Sequence, residues 1–167
     1  MLVSYSVTLI YLLAYPAAYV AVFFVFPYFF GAKAPKLGMQ SVYSILKILA
    51  VFLLFFVLSE VVQDEELGNR ILHSMAGGFT ALVMCFYAAS DSKVVITSFQ
   101  FSVFSFLLVT TLGVGNEIAE FFGQRYTSLV FAPHINDTWL DLISNTVGAL
   151  LGMAVLVPFF KKHDQSP

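Results

Sequence analysis

His73, Glu117, Glu120, Asp137, Asp141 and Asn145 are polar residues set in or beside strongly apolar stretches: "RILHSMAGG", "GVGNEIAEFF" and "NDTWLDLISNTVGALLG". An Asp or Glu inside a membrane-spanning segment costs about 2.5 to 3.5 kcal/mol on insertion scales, so a carboxylate there marks a functional site by default. On a helix Glu117 and Glu120 share one face, and Asp137, Asp141 and Asn145, four apart, share another. Carboxylates so placed can bind a polar head group, act as a general base, or ligate a divalent cation. The candidate catalytic groups are Glu117, Glu120 and Asp141, and the candidate metal set is those three with His73. A nitrogen among oxygen ligands suits Zn, Mn or Fe, and oxygen alone suits Mg or Ca. No HExxH, paired cysteine or EF-hand loop is present, so the spacing by itself diagnoses no metal.

The elements that position these residues can be read from composition. With 59% hydrophobic and 11% charged residues, the chain is too apolar for a soluble domain of 167 residues. Apolar runs at roughly 4–30, 43–63, 71–90, 94–122 and 139–160 each match the length of about 20 residues that a helix needs to cross a bilayer. The expected architecture is all-α, a single integral membrane domain over 1–167 with about five transmembrane helices. The first run is longer than a signal-peptide core and has no positive charge before it, so it reads as a retained helix, with Pro16 and Pro27 as points of kinking. The lone Cys85 reads as packing.

Lys and Arg in short loops mark the cytoplasmic side. Five spans put Lys33, Lys36, Lys93, Lys161 and Lys162 on one side and Arg70 and Arg125 on the other. The expected location is a bacterial plasma (inner) membrane, with the N-terminus outside and the C-terminus cytoplasmic. Glu60, His73, Glu117, Glu120, Asp137 and Asp141 then all fall at the outer ends of their helices, as one extracytoplasmic polar site. The polar faces continue into glycine: Gly77 beneath His73, Gly113 beneath Glu117, and Gly148 and Gly152 beneath Asp141 and Asn145. Small residues let helix backbones approach closely in lipid, so these glycines are read as packing positions that turn the polar side chains inward. Asp64, Glu65, Glu66 and Arg70 read as a solvated loop, Glu60 is held open, and His134 reads as surface.

The Glu pair in "NEIAEF" followed by "DTWLDLISNTVGALLG" resembles the VanZ-like proteins, whose pattern is a helix-end Glu with Gln three residues later, then Asp-x3-Asn-x2-Gly-x3-Gly. Glu117, Asp141, Asn145, Gly148 and Gly152 match, Glu120 stands where Gln is usual, and the loop between the halves lacks the compact Arg-Asp form. "RILHSMAGGFTAL" with paired Glu is similar to a sister group, the YjdF-like small membrane proteins. The resemblance covers roughly 70–155 and implies an envelope role linked to glycopeptide-antibiotic resistance, without fixing a reaction.

The carboxylates outnumber the nearby cations, so protons, a folded-over Arg70 or Arg125, or a divalent cation must balance them. The leading functional expectation is a protein binding an envelope component: a lipid headgroup, a lipid-linked sugar or a cationic amphiphile. The alternative is a metal-dependent membrane hydrolase acting on a lipid ester or phosphate. Ser74 and Ser144 lack a His–Asp arrangement in sequence, no phosphate loop points to nucleotides, no feature points to nucleic acid, and the ionisable residues stop short of a transport path. In a Cys85-free background, single cysteines near Glu66 and Ser128 should label from outside intact cells, and ones near Lys36 and Lys162 should not. The reverse labelling pattern would place the polar site on the cytoplasmic face.

Overall fold

The computed structural model describes residues 2–33, 35–127 and 135–163, which leaves His134 outside the described residues. These fold as α1 (Leu2–Phe29), α2 (Met39–Val61), α3 (Glu65–Ile71), a π-helical segment (Leu72–Phe79), α4 (Thr80–Asp91), α5 (Ser98–Tyr126) and α6 (Ile135–His163). The segment Glu65–Asp91 runs as one continuous helical span, so five helices are long and apolar enough to cross a membrane. The chain is thus a multi-pass, all-helical membrane protein.

Local signals explain where the observed spans depart from the apolar runs. The third span begins at Glu65 rather than near 71, because the Asp64 side chain caps the first turn by accepting from the Leu67 backbone N–H at 3.0 Å. Glu65 and Glu66 in that first turn and Arg70 in its last complement the helix dipole. The stretch read as a solvated loop is therefore helix. The fourth span begins at Ser98 rather than 94, where Thr97 and Gln100 form a reciprocal capping box. The second and fifth spans start about a turn earlier than expected, at Met39 and Ile135, and α1 continues through both Pro16 and Pro27.

The third span is the centre of the bundle. Half of its membrane window is buried, against a third or less in each of the other four. Leu82, Met84 and Cys85 on α4 are fully buried, together with Tyr19, Phe23 and Phe26 of α1, Phe52 of α2 and Phe101 of α5. Phe101 stacks on Phe160 of α6 at 4.3 Å, and Phe26 meets Phe104 edge-on at 4.7 Å. The outward faces carry Leu54, Val57, Phe121 and Leu150, apolar side chains suited to contact with lipid tails.

What brings α6 against the π segment is glycine. A Cβ on Gly148 would collide with the Ser74 carbonyl oxygen, and one on Gly78 with the Asn145 carbonyl oxygen. Both obstacles are backbone, so no side-chain rotation can relieve them. At Gly152 the first atom met is Leu82 Cδ2 at 2.8 Å, the end of a flexible side chain. Gly148→Leu should therefore cost about 3 kcal/mol or more, and Gly152→Ala about 1 kcal/mol. Thermal unfolding and size-exclusion profiles in detergent would check the ranking, and a normally folded Gly148→Leu variant would refute the close contact.

Candidate functional site

Asp141 is the hub of the polar residues and is only 4% exposed. Its Oδ1 accepts from Arg70 Nη1 at 2.5 Å and from Asn69 Nδ2 at 3.2 Å. Its Oδ2 lies 3.4 Å from His73 Nε2. Arg70 also reaches toward Asp137, with Nη2 3.6 Å from Oδ1. One carboxylate is thus divided between two neighbours on the third span: the last turn of α3 holds one oxygen, and the π segment faces the other.

The π geometry sets this arrangement. Thr80 shows its pattern: the backbone N–H reaches back five residues to the Met75 carbonyl, and Thr80 Oγ1 donates to the same oxygen at 2.8 Å. Wider turns of this kind align His73 with both Gly77 and Gly78 on the side facing α6. The Asn145 side chain fills the space above Gly77, and its Nδ2 would lie 3.6 Å from a Cβ on Gly113. Asn145 is accordingly wedged among three helical segments, with its amide between two glycines.

Glu117 comes from the opposite wall, on α5. It is 8% exposed, and its Oε1 is buried with no hydrogen-bond partner among the described residues. A buried acceptor left unpaired costs about 1 to 3 kcal/mol, more when charged. His73, Glu117 and Asp141 each place one donor atom so that all three lie within 4.8 Å of one another. Glu120 stands outside that group and its Oε1 accepts from Asn116 Nδ2 at 2.7 Å.

A cavity of 330 Å³ adjoins the cluster. Ala14, Tyr15 and Ala18 of α1, Phe52 of α2, Ala81 and Met84 of α4 and Val109 and Leu112 of α5 give it apolar walls, and His73, Asn116 and Asn145 form its polar edge. The Tyr15 hydroxyl donates to the Ala76 carbonyl and so ties α1 to the π segment beside the cavity. Ala14, Thr111 and Leu112 line the cavity and are also exposed, near the middle of their helices. The opening therefore faces sideways between α1 and α5.

The structure brings together most of the residues expected from sequence. His73, Glu117 and Asp141 converge, Asp137 joins through Arg70, and Asn145 sits one turn deeper. Glu120 does not enter the donor group. Glu60 and Arg125 are exposed, and among the described residues Arg70 is the cation seen paired with Asp137 and Asp141. Asn69 was missed, and Arg70 was named only as one of two arginines that could fold over the carboxylates, because their segment reads as loop; the Asp64-Glu65-Glu66 helix start was the signal that could have placed them. The Ser74 hydroxyl donates to the Arg70 carbonyl at 2.7 Å, a backbone contact rather than a nucleophile's. No family model, curated protein or solved structure matches this chain.

Charge pairing separates the two central carboxylates. Asp141→Asn would strand Arg70 beside an uncharged amide and should cost about 3 kcal/mol. Glu117→Gln removes a charge that has no cation of its own, so stability should hold or rise. Thermal unfolding of both variants in detergent tests this, and equal destabilisation of the two would show Glu117 to be structural.

Proposed function

We propose that this protein binds an amphiphilic molecule of the bacterial envelope, a lipid or lipid-linked sugar. The apolar tail occupies the cavity, and the polar head lies against His73, Asn116 and Asn145. The observation that carries this reading is the junction itself: a cavity with apolar walls ends at a buried cluster of ionisable groups. Ligand sites combine a mostly apolar lining with a few polar groups that fix orientation, and an amphiphile needs both in contiguity. The sideways opening between α1 and α5 supports entry from the bilayer, since a tail can then exchange hydrocarbon for protein without crossing water.

The lysine-rich loops support a plasma-membrane orientation with the N-terminus outside, which sets the site in the outer leaflet. The Glu117 and Asp141-x3-Asn145-x2-Gly148-x3-Gly152 pattern supports a VanZ-like assignment and an envelope role, since its residues are those that build the cluster and its packing seam. A hydrolytic reading has one observation in its favour, the convergence of His73, Glu117 and Asp141, three donors of the kinds that hold a catalytic metal.

Native mass spectrometry of the purified protein with a bacterial polar-lipid extract tests the binding reading. One lipid should be retained per chain, and Ala18→Phe, which sets a ring into the cavity, should reduce retention about tenfold or more. Recovery of the lipid intact supports a binding protein; recovery of a cleaved product supports the hydrolase. Equal retention by the Ala18→Phe variant would refute occupancy of the cavity.

A further inference from the structure

We propose that His73, Glu117 and Asp141 bind one divalent transition-metal ion of the zinc or manganese class. The donors come from three separate elements, the π segment, α5 and α6, and converge within 4.8 Å. His73 Nε2 and Asp141 Oδ2 are 3.4 Å apart, longer than a good N–H···O hydrogen bond. Two ligands at about 2.05 Å from a tetrahedral ion stand about 3.3 Å apart, so this pair already has the separation that shared coordination requires. Glu117 supplies the independent observation: it belongs to the same cluster, and its buried Oε1 has no hydrogen-bond partner among the described residues.

The charge balance points the same way. Glu117, Asp141, Asp137 and Glu120 bring four carboxylates to this end of the bundle, and Arg70 pairs with two of them, Asp137 and Asp141. A divalent cation offsets most of the excess that Arg70 leaves. Arg70 and Asn69 hold Asp141 Oδ1, so Oδ2 is the oxygen left for a metal, with a hydrogen-bonded partner fixing the carboxylate's orientation as outer-shell groups do. One imidazole nitrogen among carboxylate oxygens favours zinc, manganese or iron over the all-oxygen preference of magnesium and calcium. Three protein ligands would leave a coordination position open, and one of them, His73, also lines the cavity. The inference holds whether or not a lipid fills the cavity.

Tag-free protein in detergent, stripped with chelator and dialysed, should bind one equivalent of Zn²⁺ or Mn²⁺ by titration calorimetry, in the absence of added lipid. Glu117→Gln and His73→Ala should each weaken binding about 100-fold or more while keeping the helical circular dichroism of the parent. X-ray absorption at the zinc edge of the parent protein should show light-atom ligands with the scattering of one imidazole. Absence of stoichiometric binding by the parent, undiminished binding by both variants, or a zinc shell without imidazole would each overturn the site. The absorption measurement needs no variant, so it decides the matter even where a substitution prevents folding.

Discussion

The contact on which the rest of the structure depends is the glycine seam between α6 and the π segment. Gly148 lies against the Ser74 carbonyl and Gly78 against the Asn145 carbonyl, at distances that leave no room for a side chain. In lipid the apolar effect does little to press helices together, so close backbone approach has to supply packing contact directly. That approach sets how far His73 can stand from Asp141 and Arg70 from Asp137. Widening the seam by the width of a methyl group would separate each of these pairs.

Given that seam, the polar residues form a graded arrangement. Arg70, Asn69, Asp137 and Asp141 make a paired layer, in which a half-buried guanidinium is matched by carboxylates. Next to it stands Glu117 with an unmatched buried oxygen, and beside these the apolar cavity begins. The paired layer acts as scaffold for the unpaired one. Arg70 fixes one oxygen of Asp141 and turns the other toward His73, which is how a structural ion pair can orient a functional carboxylate.

Much of this was legible in the sequence, for identifiable reasons. Five spans could be read because hydrophobic blocks and membrane thickness share one length scale, and the alternation of helices then put His73, Glu117 and Asp141 at one end. Gly148 and Gly152 were legible because their four-residue spacing matches an α-helical face. Gly78 was not, because its role depends on the π turn, and α-helical phasing from His73 selects Gly77 alone. Arg70 could be offered beside Arg125 as a counter-charge but not placed on the third span: "DEELGNR" is as polar as a loop, and only the cap at Asp64 reveals that it continues the helix. The separation of Glu120 from Glu117 was likewise beyond the sequence, since two residues on one helix face differ here in that Glu117 alone joins His73 and Asp141 in the donor group.

The π segment carries a further consequence as an element of phase. A π turn accommodates one residue more than an α turn, so it rotates the residues on its N-terminal side by about 100° around the helix axis relative to those on its C-terminal side. Arg70 and Asn69 lie before it, and Thr80 and the buried face of α4 after it. If the third span were α-helical throughout, either α4 would present its core face or Arg70 would meet Asp141, but not both. The extra residue reconciles two registers on a single rod: one chosen by the packing of the bundle, the other by the charges at its end.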